Sequence, residues 1–129
     1  MRLRGQLILI GATIAFGLAA LVHSSVLLQG WEHGKAATAE SVIATVLLFA
    51  TLATLFWPAW SRLITLSALG FALFGTCVGA FTITAGIGPQ TRLDLGFHST
   101  LIAGLIAALA VTWCMHGVHL HHNGDGGVS

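Results

Sequence analysis

The residues able to do chemistry gather at a few places in this chain. His23, Glu32, His33, Lys35, Glu40, Arg92, Asp94 and His98 lie near the ends of long apolar stretches or in the short segments between them. Imidazole and carboxylate groups are ligands for zinc or copper, and His33, Glu40, Asp94 and His98 are the candidate metal set. Asp94 and His98 are four residues apart, so on a helix they project from one face as a ligand pair would. His23 and His98, at equal depth on different helices, are the candidate cofactor pair, able to bracket a b-type haem or hydrogen-bond a quinone head group. Ionisable residues within a membrane span are functional candidates by default. A plainer reading is also open: Asp94 caps a helix, Glu40 sits in the first turn of another, and Arg92 pairs with either. A second group, His116, His119, His121 and His122, lies in a glycine-rich tail of the kind that binds divalent metals adventitiously.

These groups are held by elements the composition defines. Of 129 residues, 56% are hydrophobic and 7% charged, and the mean hydropathy is +0.91. A soluble domain carries about a quarter charged residues, so no water-soluble fold hides this much apolar surface. Runs of about 20 apolar residues cross a bilayer, and the chain has four, near residues 6–28, 39–57, 63–85 and 95–115. The expected fold is an all-α, four-helix membrane bundle forming one domain, with residues 116–129 a disordered His/Gly-rich tail. The first run is too long for a signal peptide h-region. Arg2, Arg4 and Arg62 fall on one side, Lys35 and Arg92 on the other, so the positive-inside rule places both termini in the cytoplasm. The expected location is a bacterial inner membrane.

Small residues let membrane helices approach closely. The stripe Gly11, Ala15, Ala19, His23 marks one packing face, Glu40, Ala44, Leu47, Thr51, Thr54 a second, and Gly75-x-x-x-Gly79 with Gly70, Cys77 and Thr84 a third. On the last span the stripe Gly96, Thr100, Gly104, Ala108, Thr112 would face the bundle. His98, with Leu101, Ile102, Leu105, Leu109 and Trp113, would then point outward, toward headgroups or another protein. Cys77 and Cys114 lie roughly 15 Å apart along the membrane normal at about 1.5 Å per residue, too far for a disulfide, and are expected as buried thiols.

The stretch Gly30-Trp31-Glu32-His33-Gly34-Lys35-Ala36-Ala37-Thr38-Ala39-Glu40, followed by Gly86-Ile87-Gly88-Pro89-Gln90-Thr91-Arg92-Leu93-Asp94-Leu95-Gly96-Phe97-His98, resembles a group of small bacterial four-span membrane proteins of no known activity. A G-x-G-P-x-T-x-x-D-x-x-x-H segment opens the last helix in that group. The resemblance implies that Gly88, Pro89, Thr91, Asp94 and His98 are family residues. A looser likeness links the chain to DoxX-type four-helix membrane proteins in size, span count and an acid near the start of the second helix, although the fourth span does not share it.

No G-x-S-x-G elbow, phosphate loop or H-E-x-x-H signature occurs, so turnover by this chain alone is not expected. With a formal net charge of +1 and no basic run, nucleic acid is not an expected partner. The lipid bilayer is, together with other membrane subunits or further copies of the chain. The leading functional expectation is a non-catalytic accessory or assembly subunit of a larger membrane complex. The alternatives are a metal-, haem- or quinone-binding redox bundle built on the outer cluster, and a small transporter acting as an oligomer.

Overall fold

The computed structural model describes residues 2–27, 34–87 and 92–114. They form four α-helices: α1 Arg2–His23, α2 Gly34–Phe56, α3 Ser61–Thr84 and α4 Arg92–Cys114, with a single 3-10 turn Pro58–Trp60 before α3. All four are long and apolar enough to cross a membrane; at about 1.5 Å per residue, 22 residues span about 33 Å. The chain is an all-α, multi-pass membrane bundle. Each helix begins a few residues before the apolar run that marks it, because Lys35, Arg62 and Arg92 occupy first turns. Such ends lie at the bilayer edge, where charge is cheap and the helix need not stop.

Neighbours in sequence are neighbours in space: α1 packs along α2, α2 along α3 and α3 along α4, whereas α1 and α4 scarcely meet. The buried positions repeat at spacings of three and four. In α2 they are Glu40, Ile43, Leu47, Ala50 and Thr54, and in α3 Thr65, Leu69, Ala72 and Thr76, with Ala68 buried beside Leu69. This near-3.5 period keeps one seam facing the bundle along each helix. Leu9, Phe16, Leu47, Leu69 and Ala72 form the centre of the apolar core.

The rotation of α4 differs from the small-residue expectation. Asp94, His98, Leu105 and Thr112 are buried, Leu101, Ala108 and Leu109 pack partly against the core, and Gly96, Thr100 and Gly104 are exposed. His98 therefore points inward. Close approach through glycine gains only dispersion, while a carboxyl and an imidazole turned to lipid would each cost several kcal/mol, so the polar pair sets which face turns in. A Cβ on Gly104 would meet nothing within 4 Å. On α1 the stripe holds for Ala19 and His23 but not for exposed Gly11, where Leu9 and Phe16 turn inward instead. Cys77 and Cys114 are exposed, not buried: thiols behave as small hydrophobes and rest on the surface that acyl chains would cover.

The helix ends explain the chain reversals. After α1, Val26 N–H donates to the Leu21 carbonyl and Ser25 N–H to Val22; after α3, Ile87 donates to Thr82 and Gly86 to Ile83. Both are Schellman caps, whose pivot residue is left-handed. Gly86 takes φ 76° freely, whereas Ser25 takes φ 58° as a non-glycine. At the opposite end of the bundle, Trp57 and Trp60 are exposed beside Arg62. The Arg62 guanidinium lies 5.0 Å from the Trp113 ring, tying the start of α3 to the end of α4.

Candidate functional site

Four ionisable side chains from three helices converge inside the bundle at the end away from the chain termini, called distal below. His23 is the last residue of α1, Glu40 the seventh of α2, and Asp94 and His98 lie one turn apart at the start of α4. Their exposures are only 5%, 5%, 4% and 9%, so they are withdrawn from lipid and water alike. Glu40 is thus nearly two turns inside α2 rather than in its first turn.

His23 is the hub. Its Nδ1 lies 2.7 Å from Glu40 Oε2, a length typical of charge-assisted hydrogen bonds. Its Nε2 lies 3.6 Å from Asp94 Oδ1, an ion-pair distance. One imidazole therefore links α1 to α2 and also spans the α1–α4 edge that is otherwise barely packed. Phe97 meets both imidazoles edge-on, its ring centre 6.4 Å from His23 and 5.8 Å from His98.

His98 is held differently. Its Nδ1 is 2.9 Å from the Asp94 backbone carbonyl; a carbonyl only accepts, so Nδ1 carries the proton and Nε2 of a neutral ring presents its lone pair. That nitrogen leans on α3 at Gly79, where a Cβ would stand 2.9 Å from it. Gly79 thus provides the space the ring occupies. Among the described residues, His98 Nε2 and Glu40 Oε1 have no hydrogen-bond partner.

Both atoms belong to side chains that line a cavity of about 500 Å³ built from all four helices. Phe16, Ile43 and Leu101 supply apolar wall, and Thr76 and Thr82 add hydroxyls. Lys35, exposed at the start of α2, also borders it. Pockets of roughly 300–1,000 Å³, largely apolar with a few placed polar groups, are the form small-molecule sites take.

Of the residues expected at a site, the fold brings together His23, Glu40, Asp94 and His98. Arg92 is exposed at the start of α4 and does not line the cavity. Glu32, His33, Gly88, Pro89, Thr91 and the tail histidines His116, His119, His121 and His122 lie outside the described residues. Asp94 and His98 do share a helix face, but they meet through a backbone oxygen rather than as parallel side-chain donors. Among the described residues no group of three His, Cys, Asp or Glu is placed to hold a metal ion. For a haem, His23 would have to release a nitrogen already facing a carboxylate.

Gly79, Thr76 and Thr82 were not among the expected site residues. Gly75-x-x-x-Gly79 was legible as a close-packing motif, and Gly75 serves that use: a Cβ there would meet Ile43 at 2.8 Å. The imidazole against Gly79 has no counterpart in the spacing. The chain matches no family model, no curated protein and no solved structure.

Proposed function

We propose that this protein binds a small amphipathic molecule inside the membrane, the ligand's polar head meeting Glu40 and His98 and its apolar body lying along Phe16, Ile43 and Leu101. One observation carries this reading: Glu40 and His98, side chains more than nine-tenths buried, line a cavity of about 500 Å³, and neither Glu40 Oε1 nor His98 Nε2 has a hydrogen-bond partner among the described residues. A bundle needing only stability would fill that space with aliphatic side chains, since buried ion pairs are often replaced by apolar residues without loss. The accessory-subunit expectation drew on an outward His98, and with His98 turned inward it loses that support. The end of the bundle that carries Arg4 and Arg62 is the one we assign to the cytoplasm of a bacterial inner membrane.

The test is thermal stabilisation of the protein in lipid nanodiscs by a panel of water-soluble amphiphiles: 2-phenylethylammonium, 2-phenylethanol, hydroquinone and 3-phenylpropanoate. At least one should raise Tm, because a ligand at 100 times its Kd stabilises by about 2.7 kcal/mol. The same compound should not shift Thr82→Phe, which fills the cavity while leaving Glu40 and His98 in place. A panel that shifts neither protein overturns the binding reading and favours an accessory subunit. A shift by hydroquinone alone favours the quinone form of the redox alternative.

A further inference from the structure

The small residues that fail to pack α1 and α4 into the bundle flank one and the same edge. On α1, Gln6 Nε2 donates to Thr54 of α2, and a Cβ on Gly5 would meet Thr65 of α3 at 3.5 Å. At about 100° per residue, Arg4, Gly11 and Ala15 lie on the remaining side, toward α4. On α4, Trp113 meets Arg62 of α3, and Phe97 meets His23 of α1. Gly104 and Ala108 share the Phe97 side and so turn toward α1. A Cβ on Gly11 or on Gly104 would meet nothing within 4 Å, and α1 and α4 scarcely pack. The edge is a groove with small residues on both walls. The His23–Asp94 link closes it at the distal end, and it stays open between the start of α1 and the end of α4.

Cations stand at that open end. Arg4 is exposed on the α1 wall. The Arg62 guanidinium is held against Trp113 at the end of α4, with its Nε buried. No acceptor among the described residues meets it, so its terminal nitrogens remain to offer the fork that fits a phosphate. The carboxylates among the described residues, Glu40 and Asp94, both lie at the distal end. Exposed Trp57 and Trp60 beside Arg62 mark the headgroup level. An apolar helix laid in the groove would leave both guanidiniums unanswered. A phospholipid brings a phosphate for the open end and a chain for the groove.

We propose that the α1–α4 edge binds one anionic glycerophospholipid, its phosphate between Arg4 and Arg62 and an acyl chain along Gly11 and Gly104. A zwitterionic headgroup brings its own cation to the two arginines, so a net negative one is favoured. This site is separate from the cavity and does not depend on what the cavity binds.

The test is native mass spectrometry of the full chain released from nanodiscs of equal phosphatidylglycerol and phosphatidylcholine. Each chain should retain one phosphatidylglycerol, about tenfold in preference to phosphatidylcholine. Arg4→Gln and Arg62→Gln should each cut retention about fivefold, whereas Lys35→Gln, at the distal end, should leave it unchanged. Gly104→Leu keeps both arginines but fills the groove. It should cut retention as far, with its Tm in micelles free of phosphatidylglycerol unchanged. Asp125→Asn, in the tail outside the described residues, should retain lipid like wild type. Equal retention of the two lipids overturns the proposal, as does displacement by glycerol 1-phosphate, which has the phosphate but no chain. Retention that appears only in Asp125→Asn overturns it too, because the tail would then be the arginines' own partner. A dimer that retains no lipid and that Gly104→Leu splits assigns the edge to a second copy of the chain instead.

Discussion

The two halves of this bundle solve the problem of interior polarity in opposite ways. In the half near the chain termini the buried polar residues are threonines. Thr65, Thr54 and Thr112 each donate to a carbonyl of their own helix three or four residues earlier, at 2.7–2.8 Å. A hydroxyl whose proton is used in this way needs no acceptor on another helix, although Thr54 also accepts from Gln6 Nε2 at 3.4 Å, and Leu9, Leu47 and Leu69 are buried in the same core without exposure. In the distal half Thr76 and His98 also donate to carbonyls of their own helices, but His23, Glu40 and Asp94 are buried beside them, and no backbone turn can neutralise those. They need partners on other helices, and they border a cavity rather than a filled core. Threonine in a membrane core can be mere packing; a carboxyl–imidazole–carboxyl array across three helices ties those helices to one another, and in the reading proposed above it also serves the cavity.

The sharpest way to break that contrast is to remove its charges singly and then together. Asp94→Leu alone should destabilise the protein by about 3–5 kcal/mol, the range for stripping one partner from a buried ion pair. The combined His23→Leu, Glu40→Leu, Asp94→Leu protein should recover most of that loss and lose all ligand response. Reversible unfolding in mixed micelles measures both. A triple variant less stable than the single one would mean that the array holds the bundle together, and the functional reading of its charges would lose its footing.

A smaller effect is expected at Gly79, where the distal half touches α3. Gly79→Ala places a methyl 2.9 Å from His98 Nε2, so the ring must shift; overpacking of this kind costs about 1–3 kcal/mol. The same change should reduce the rise in Tm produced by whichever amphiphile of the panel binds, whereas His98→Ala combined with Gly79→Ala should remove the stability penalty. An unchanged Tm for Gly79→Ala would show that the imidazole does not rest there.

The smallest effect belongs to Gly104. It faces outward with open space around it, so Gly104→Leu should stay within about 0.5 kcal/mol of wild type, while Leu105→Ala, which empties a buried position, should cost about 2–5 kcal/mol. The reverse order of melting temperatures would restore the glycine stripe as the packing face and turn His98 back toward lipid.

Gly104 also shows where reading the sequence stops. The four spans were legible because hydropathy sums over some twenty residues, and the chain reversals because Pro58 and Gly86 leave few conformations open. Three of the four helix faces were legible in part for the same reason: Leu47, Ala19 and the Gly75/Gly79 pair stand at spacings that only one face can accommodate. On α4 two patterns compete. Gly96, Thr100, Gly104 and Ala108 form an unbroken row of small residues, and Asp94, His98, Leu101 and Leu105 form an equally regular seam. The spacing along α4 does not choose between them; the cost of turning Asp94 and His98 to lipid does. Glu40 and His23, which lie on other helices, offer that pair a place out of the lipid. His23 and Glu40 each stand out in the sequence, but that they pair at 2.7 Å depends on how far α1 and α2 run before they turn, a matter of a residue or two. The cavity was not legible at all, since it arises from what four helices leave unfilled.

The scarce packing between α1 and α4 carries a consequence for how the molecule assembles. Contacts between successive helices close short loops and form early, so each hairpin can take shape soon after it enters the bilayer. The His23–Asp94 link joins residues from the first and last helices, and it can form only when the whole chain is in place. It is a late event in folding, and until it closes the chain is two hairpins sharing one seam between α2 and α3. Sequence changes at Asp94 should therefore show mainly in how fast the finished protein comes apart, and changes along the α2–α3 seam in how fast it is made.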